Sequence, residues 1–297
     1  MDEGRRRALW LIAGGLGAGA LTLAGCSRSG ESEAGKGTLQ QMKDTGTARI
    51  GYANEAPFAY LDVQTNELTG EAPEIARVIL QRMGIPKIEG VLTEFGALIP
   101  GLKAKRFDII AAGMYILPQR CQQIAFSNPT YGIGEAFIVK AGNPKDLHSF
   151  ADVAHDANAT LGVVTGAVER GYAKKSGIPD DRVKVFPDAA SALAGVESGR
   201  VDAYAGTSLT MRDLLSKVGK ADVALAAPFT DPVINGKSVR GYGAFGFRKT
   251  DHKLLKQFND ELANFIGTPE HLKLVSPFGF TREDLPGNVT AAQLCKG

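Results

Sequence analysis

The 297-residue chain contains three cysteines, one tryptophan and four histidines, and each scarcity removes a class of function. Cys26, Cys121 and Cys295 are far apart, so there is no Cys-x-x-Cys pattern for zinc or dithiol chemistry. His148, His155, His252 and His271 are scattered in polar stretches without a His-x-x-x-His pair, and no metal site or cofactor is expected. No Gly-x-Ser-x-Gly turn and no nucleophile with an evident base is present, which argues against an enzyme. The formal net charge is only +2, and no basic patch indicates a nucleic-acid partner. No repeat of roughly 20–50 residues occurs, so solenoids and propellers are excluded, and low complexity is confined to the N-terminal region.

What is present begins at the N-terminus. Arg5, Arg6 and Arg7 precede 18 uncharged residues, Ala8 to Gly25, ending in Leu23-Ala24-Gly25-Cys26. A basic start, an apolar stretch and small residues before a boundary form the layout of a secretory signal. An uncleaved membrane anchor is the alternative, weakened by five glycines in the run. Small residues directly before Cys26 resemble the lipobox of bacterial lipoproteins, in which the cysteine carries lipid, and Arg5-Arg6 leaves twin-arginine export open. Residues 1–26 are therefore read as a lipoprotein signal segment. The stretch 27–38, rich in Ser, Gly, Glu and Lys, cannot bury enough apolar surface to fold and reads as a tether. Export places Cys121 and Cys295 in an oxidising compartment, where they either pair or remain two buried thiols.

From Leu39 onward, short apolar or β-branched runs alternate with amphipathic stretches, the rhythm of an α/β architecture. Ala48 to Tyr52 reads as a strand. Glu74, Ile75, Val78, Ile79, Arg82 and Met83 fit one helix stopped by Gly84 and Pro86. Leu98 to Lys105 and Phe107 to Ala112 continue the series. A second series, Thr160 to Val164, Val168 to Lys175, Val183 to Phe186, Ala189 to Ser198 and Val201 to Ala205, looks like another copy of the same unit. Ala136 to Val139 and Gly243 to Arg248 are candidate strands crossing between the two.

The ordered set Gly51-Tyr52, Pro57-Phe58, Gly70, Ile99-Pro100-Gly101-Leu102, Phe107-Asp108, Arg120, Phe126-Ser127, Pro129 and Tyr131 resembles the polar amino-acid-binding family of ABC importers. Leu161-Gly162-Val163, Gly166 and Gly199-Arg200-Val201-Asp202-Ala203 extend the resemblance, which spans Ala48 to Pro286. It implies a type II periplasmic-binding-protein fold: two α/β lobes joined by a two-strand hinge, closing on a small solute as a population shift. The expected lobes are 39–139 with 243–297, and 140–242. The implied protein is an extracytoplasmic, membrane-tethered monomer that delivers its solute to ABC permease subunits.

Within that family Arg120 matches the arginine that grips a ligand carboxylate, a task suited to a planar guanidinium. Gly166, Ala167 and Val168 lie where a loop becomes a helix, so their amides could meet the same carboxylate. Many members place an acid five residues after the aspartate matched by Asp202, to pair with an α-ammonium. Here that position is Thr207, and a hydroxyl cannot neutralise a buried ammonium. Glu55 and Phe58 occupy the first strand-to-helix loop, and Phe95 and Tyr115 match two other cleft positions. Three aromatics with a carboxylate suggest a box for a delocalised cation, each ring contributing about 0.5–2 kcal/mol. The combination resembles the family members that bind ectoine and hydroxyectoine, cyclic zwitterions with a flat amidinium ring and a carboxylate. The alternative is a polar amino acid or opine-like compound, with Glu55 meeting the ammonium. A dehydratase of this fold would need an acid and base in the cleft, and Glu55 is the one candidate base. A sensor module is disfavoured because Gly297 is reached without a second membrane segment or signalling domain.

Overall fold

The computed structural model describes residues 37–217, 222–234 and 237–296, which belong to one compact unit. The signal segment, Cys26 and nearly all of the expected tether lie outside the described residues. Among the described residues no helix is long and apolar enough to cross a membrane.

Two five-stranded sheets organise the chain. In the first the order is Lys87–Leu92, Thr47–Tyr52, Ile109–Ile110, Gly246–Phe247 and Ala125–Phe126. In the second it is Val183–Phe186, Leu161–Val164, Ala203–Thr207, Glu135–Lys140 and Val223–Leu225. The first three strands of each are parallel, with the earliest in the chain at their centre, and the fourth runs antiparallel to them. The repeated series in the sequence thus becomes a repeated topology. The chain leaves the first sheet, builds the second and returns, because Gly246–Phe247 comes after every strand of the second sheet.

The segments expected to cross between lobes lie elsewhere. Ala136 to Val139 is inside the second sheet, and Gly246–Phe247 is inside the first. The paired segments between the lobes are Tyr131–Ile133 and Gly241–Gly243, which run antiparallel. The physical reason is space. A Cβ on Gly241 would lie 1.8 Å from the Tyr115 ring, and one on Gly243 would lie 2.1 Å from the Tyr131 ring. Apolar β-branched runs, which mark strands well elsewhere, cannot pass so close to two tyrosines. A lobe boundary at residue 139 would cut the strand Glu135–Lys140.

Local chemistry positions the site. The helix Glu71–Arg82 buries Ile75, Ala76, Ile79 and Leu80, carries Glu71 and Glu74 in its first turn and Arg82 in its last, and is followed by Gly84 at φ +82°. Its N-cap, Gly70, has φ +121°, and a Cβ there would meet the Phe58 carbonyl oxygen at 2.5 Å. That approach lets the Phe58 carbonyl accept from the Ala72 amide at 3.0 Å, which fixes the Pro57-Phe58 turn over the helix start. Asp108 pairs with Arg49 at 2.9 Å and with Arg248 at 3.2 Å, locking the first sheet. Asp202 accepts from the Thr160 amide and hydroxyl and pairs with Lys145, so this family aspartate is structural. His271, although it stands in a polar stretch of sequence, is 2% exposed, packs edge-on to Phe265 and accepts from the Gly267 amide.

Candidate ligand-binding site

One cavity between the two sheets is lined by Glu55, Phe58, Phe95, Tyr115, Arg120, Ala167, Val168 and Thr207, together with Ala112, Gly113 and Glu169. About 360 Å³ there is free of protein atoms, part of it continuous with solvent. On its outer side Glu55 borders a larger groove that also includes Tyr60, Asp62, Glu94 and Asp188.

The aromatic members are held by packing. Phe58 lies 5.3 Å from Tyr131 and 5.8 Å from Phe280 between ring centroids, and Tyr115 lies 6.4 Å from Tyr131. Gly113, at φ +64°, leaves room for the Phe58 ring, which a Cβ would meet at 2.5 Å. Tyr115 forms a backbone bridge to Gly243, so the crossing strand carries it. Phe95 opens a short 3₁₀ turn, and its ring faces the Arg120 guanidinium at 5.4 Å, a cation–π distance.

Arg120 sits in the turn Pro118–Cys121 and is 8% exposed. Its Nη1 donates to the Tyr115 carbonyl at 2.8 Å, and its Nη2 donates to the Gly166 carbonyl at 2.9 Å. Burial lowers its pKa to about 10, so it remains a cation at neutral pH. The next residue, Cys121, forms a disulfide with Cys295 across 174 positions, tying the arginine's turn to the C-terminal helix Ala291–Leu294.

The second lobe meets these groups directly. Gly166 has φ +76°, and a Cβ there would lie 2.6 Å from the Gly96 Cα. Its carbonyl, rather than its amide, faces Arg120, and the Ala167 amide already donates to the Val164 carbonyl at 3.2 Å. Glu55 Oε1 accepts from the Thr210 hydroxyl at 2.8 Å, and the Thr207 hydroxyl donates to the Thr210 hydroxyl at 3.0 Å. Burial raises the Glu55 pKa, with the Thr210 bond opposing. These contacts define a closed cleft.

Thr210 and Glu169 are site residues that the sequence reading misses. Thr210 joins Glu55 over 155 positions, a contact with no local signal. Glu169 shows in the sequence only as part of an ordinary helix start. Among the described residues no cluster of His, Cys, Asp and Glu could hold a metal ion.

Residues 48–279 match the family described as bacterial extracellular solute-binding proteins, family 3. A probable amino-acid ABC transporter periplasmic-binding protein of Sinorhizobium fredii is 39% identical over 266 residues, covering 88% of this chain and 87% of that one. The crystal structure of EhuB in complex with hydroxyectoine superimposes with TM-score 0.79 at 36% identity, covering 87% of this chain and 97% of that one. An ancestral amino-acid-binding protein, described as a precursor of cyclohexadienyl dehydratase, gives TM-score 0.70 at 26% identity over 82% of this chain and 99% of that one.

Proposed function

Because the chain belongs to family 3 of the bacterial extracellular solute-binding proteins, the non-enzymatic binding components of ABC importers, we propose that its cleft captures ectoine or hydroxyectoine for import. The observation that carries this reading is one cavity uniting Glu55, the rings of Phe58, Phe95 and Tyr115, and Arg120. An amidinium ring offers a flat delocalised cation to the aromatic faces and N–H donors to Glu55, while its carboxylate replaces the carbonyl groups that Arg120 now contacts. Thr207, beside Thr210, leaves the usual ammonium partner absent and provides a hydroxyl for a polar substituent. Similarity to the hydroxyectoine complex of EhuB supports the same choice. Ligand contacts to both lobes favour closure about the pair Tyr131–Ile133 and Gly241–Gly243. The protein acts as a monomer, held at the membrane by lipid on Cys26.

A conventional amino acid has two observations in its favour: Glu169 is a second carboxyl group in the cavity, available to an α-ammonium, and the 39% identical Sinorhizobium fredii relative is described as a probable amino-acid ABC transporter periplasmic-binding protein. Calorimetric titration of residues 37–297 with ectoine, hydroxyectoine and the common amino acids separates the readings. Saturable binding of ectoine at micromolar concentration or below, with amino acids silent, is expected. Heat from an amino acid and none from either ectoine would reject the proposal.

A further inference from the structure

Glu169 and Glu135 reach the same buried volume from different elements. Glu169 begins the helix Glu169–Lys175, and Glu135 begins the strand that follows the crossing segment. Each residue is 4% exposed. Both Glu135 carboxyl oxygens and Glu169 Oε2 lack a hydrogen-bond partner, although Glu169 lines the cavity. Three orphan oxygens in so small a volume are costly unless protons or a ligand satisfy them. The two carboxyl groups face each other closely enough to share a hydrogen bond when one is protonated.

Arg120 does not resolve the problem, since it donates to two backbone carbonyls and forms no ion pair with Glu169. The other groups around the pair add little positive charge. Glu55 acts on both acids, Arg120 on Glu169, and Asp231 on Glu135, from whose backbone amide it accepts at 2.7 Å. The neutral phenols of Tyr115, Tyr131, Tyr172 and Tyr204 complete the surroundings. Of these, the Tyr115 hydroxyl is itself without a partner.

We propose that Glu169 is a specificity residue for the anionic end of the solute: it keeps its proton in the complex and donates it to the carboxylate beside Arg120, while Glu135 holds a second proton behind it. Resting on the reading that the ligand carboxylate lies at Arg120, this assigns a neutral acid, not an anion, to the carboxylate end of the cavity. An ionised Glu169 would repel that carboxylate, whereas a protonated one satisfies it and loses its own orphan oxygen. Burial already lifts Glu169 to about 7 and Glu135 well above the ordinary range. On this proposal the pair holds one proton in the free protein above neutral pH and two in the complex, so binding draws one proton from solvent onto the pair.

The test is calorimetry at pH 6 and 8.5 in buffers of different ionisation enthalpy, using ectoine, hydroxyectoine and the common amino acids as probes. Uptake near one proton per ligand at pH 8.5, little at pH 6, and affinity falling up to about tenfold per pH unit above 7 are expected. In Glu169→Gln the ratio of affinities at the two pH values should approach one, whatever the absolute affinity. Ectoine binding without proton uptake would overturn this inference and leave the ectoine reading intact. An amino acid binding with uptake, ectoine being silent, would do the reverse. Carboxyl ¹³C titration of the unliganded protein decides the matter if no probe binds: a Glu169 signal that titrates near 7 supports the pair, and both acids titrating below 5 would overturn it.

Discussion

Replacing Gly166 by alanine would separate the cost of folding from the cost of closure. Gly166 is at φ +76°, and an added Cβ meets the Gly96 Cα at 2.6 Å and the Gly96 nitrogen at 3.2 Å. Holding an L-residue in the left-handed region costs about 1–2 kcal/mol, in the open and closed forms alike. The overlap with Gly96 exists only when the lobes meet, and backbone cannot swing aside as a flexible side chain can. Overpacking of that kind costs about 1–3 kcal/mol, which falls entirely on closure and weakens binding about 5- to 150-fold. Gly177 supplies the control, because it has φ +86° and open space within 4 Å of the point where a Cβ would stand. Gly177→Ala should lower stability similarly while leaving affinity within about twofold. Thermal unfolding measures the shared cost, calorimetry the affinity, and small-angle scattering the ligand-induced contraction, which should shrink in Gly166→Ala. Equal affinities for the two variants would refute the claim that closure brings Gly166 onto Gly96.

Other outcomes follow from the same geometry. Arg120→Ala and Glu55→Ala should each weaken ligand binding more than about tenfold in calorimetry, since each removes a charge-assisted contact from a closed cavity; unchanged affinity in both would reject the site. Arg120→Lys should rescue little, because an ammonium cannot make two parallel bonds. Breaking the Cys121–Cys295 bond, which closes a 174-residue separation, should cost about 2–5 kcal/mol and lower Tm by roughly 5–15 °C; a Tm indifferent to reductant would contradict this. His271 is pushed down to about 4 by burial, below its ordinary 6.5. Its stabilising contribution is therefore complete above about pH 6.5 and lost as the pH falls toward 4. His271→Gln should shift acid unfolding, followed by circular dichroism, to lower pH.

The parts of the fold legible in the sequence are those fixed by local pattern. The shared face of Ile75 and Ile79, with Gly84 beyond, identifies the helix Glu71–Arg82 because burial and termination act within a few turns. The crossing pair is misplaced by the same reasoning because Tyr131-Gly132-Ile133 and Gly241-Tyr242-Gly243 carry glycine where a strand pattern would show β-branched residues. Their need for glycine comes from Tyr242 over Gly132, Tyr115 over Gly241 and Tyr131 over Gly243 in space, not from sequence neighbours. The cavity residues are legible through family motif positions. What escapes is long-range chemistry: Thr210 on Glu55 and the Gly166 carbonyl on Arg120, which depend on how the two lobes meet, and Glu169 facing Glu135 within the second lobe. None of these leaves a periodic signal.

The most direct test of the central claim is a crystal structure of residues 37–297 grown with ectoine. The account predicts the ligand carboxylate within about 2.7–3.0 Å of the Arg120 guanidinium, the ring among Phe58, Phe95 and Tyr115, and a ring N–H on Glu55. A ring lying outside these aromatics, or a carboxylate held away from Arg120, would contradict it.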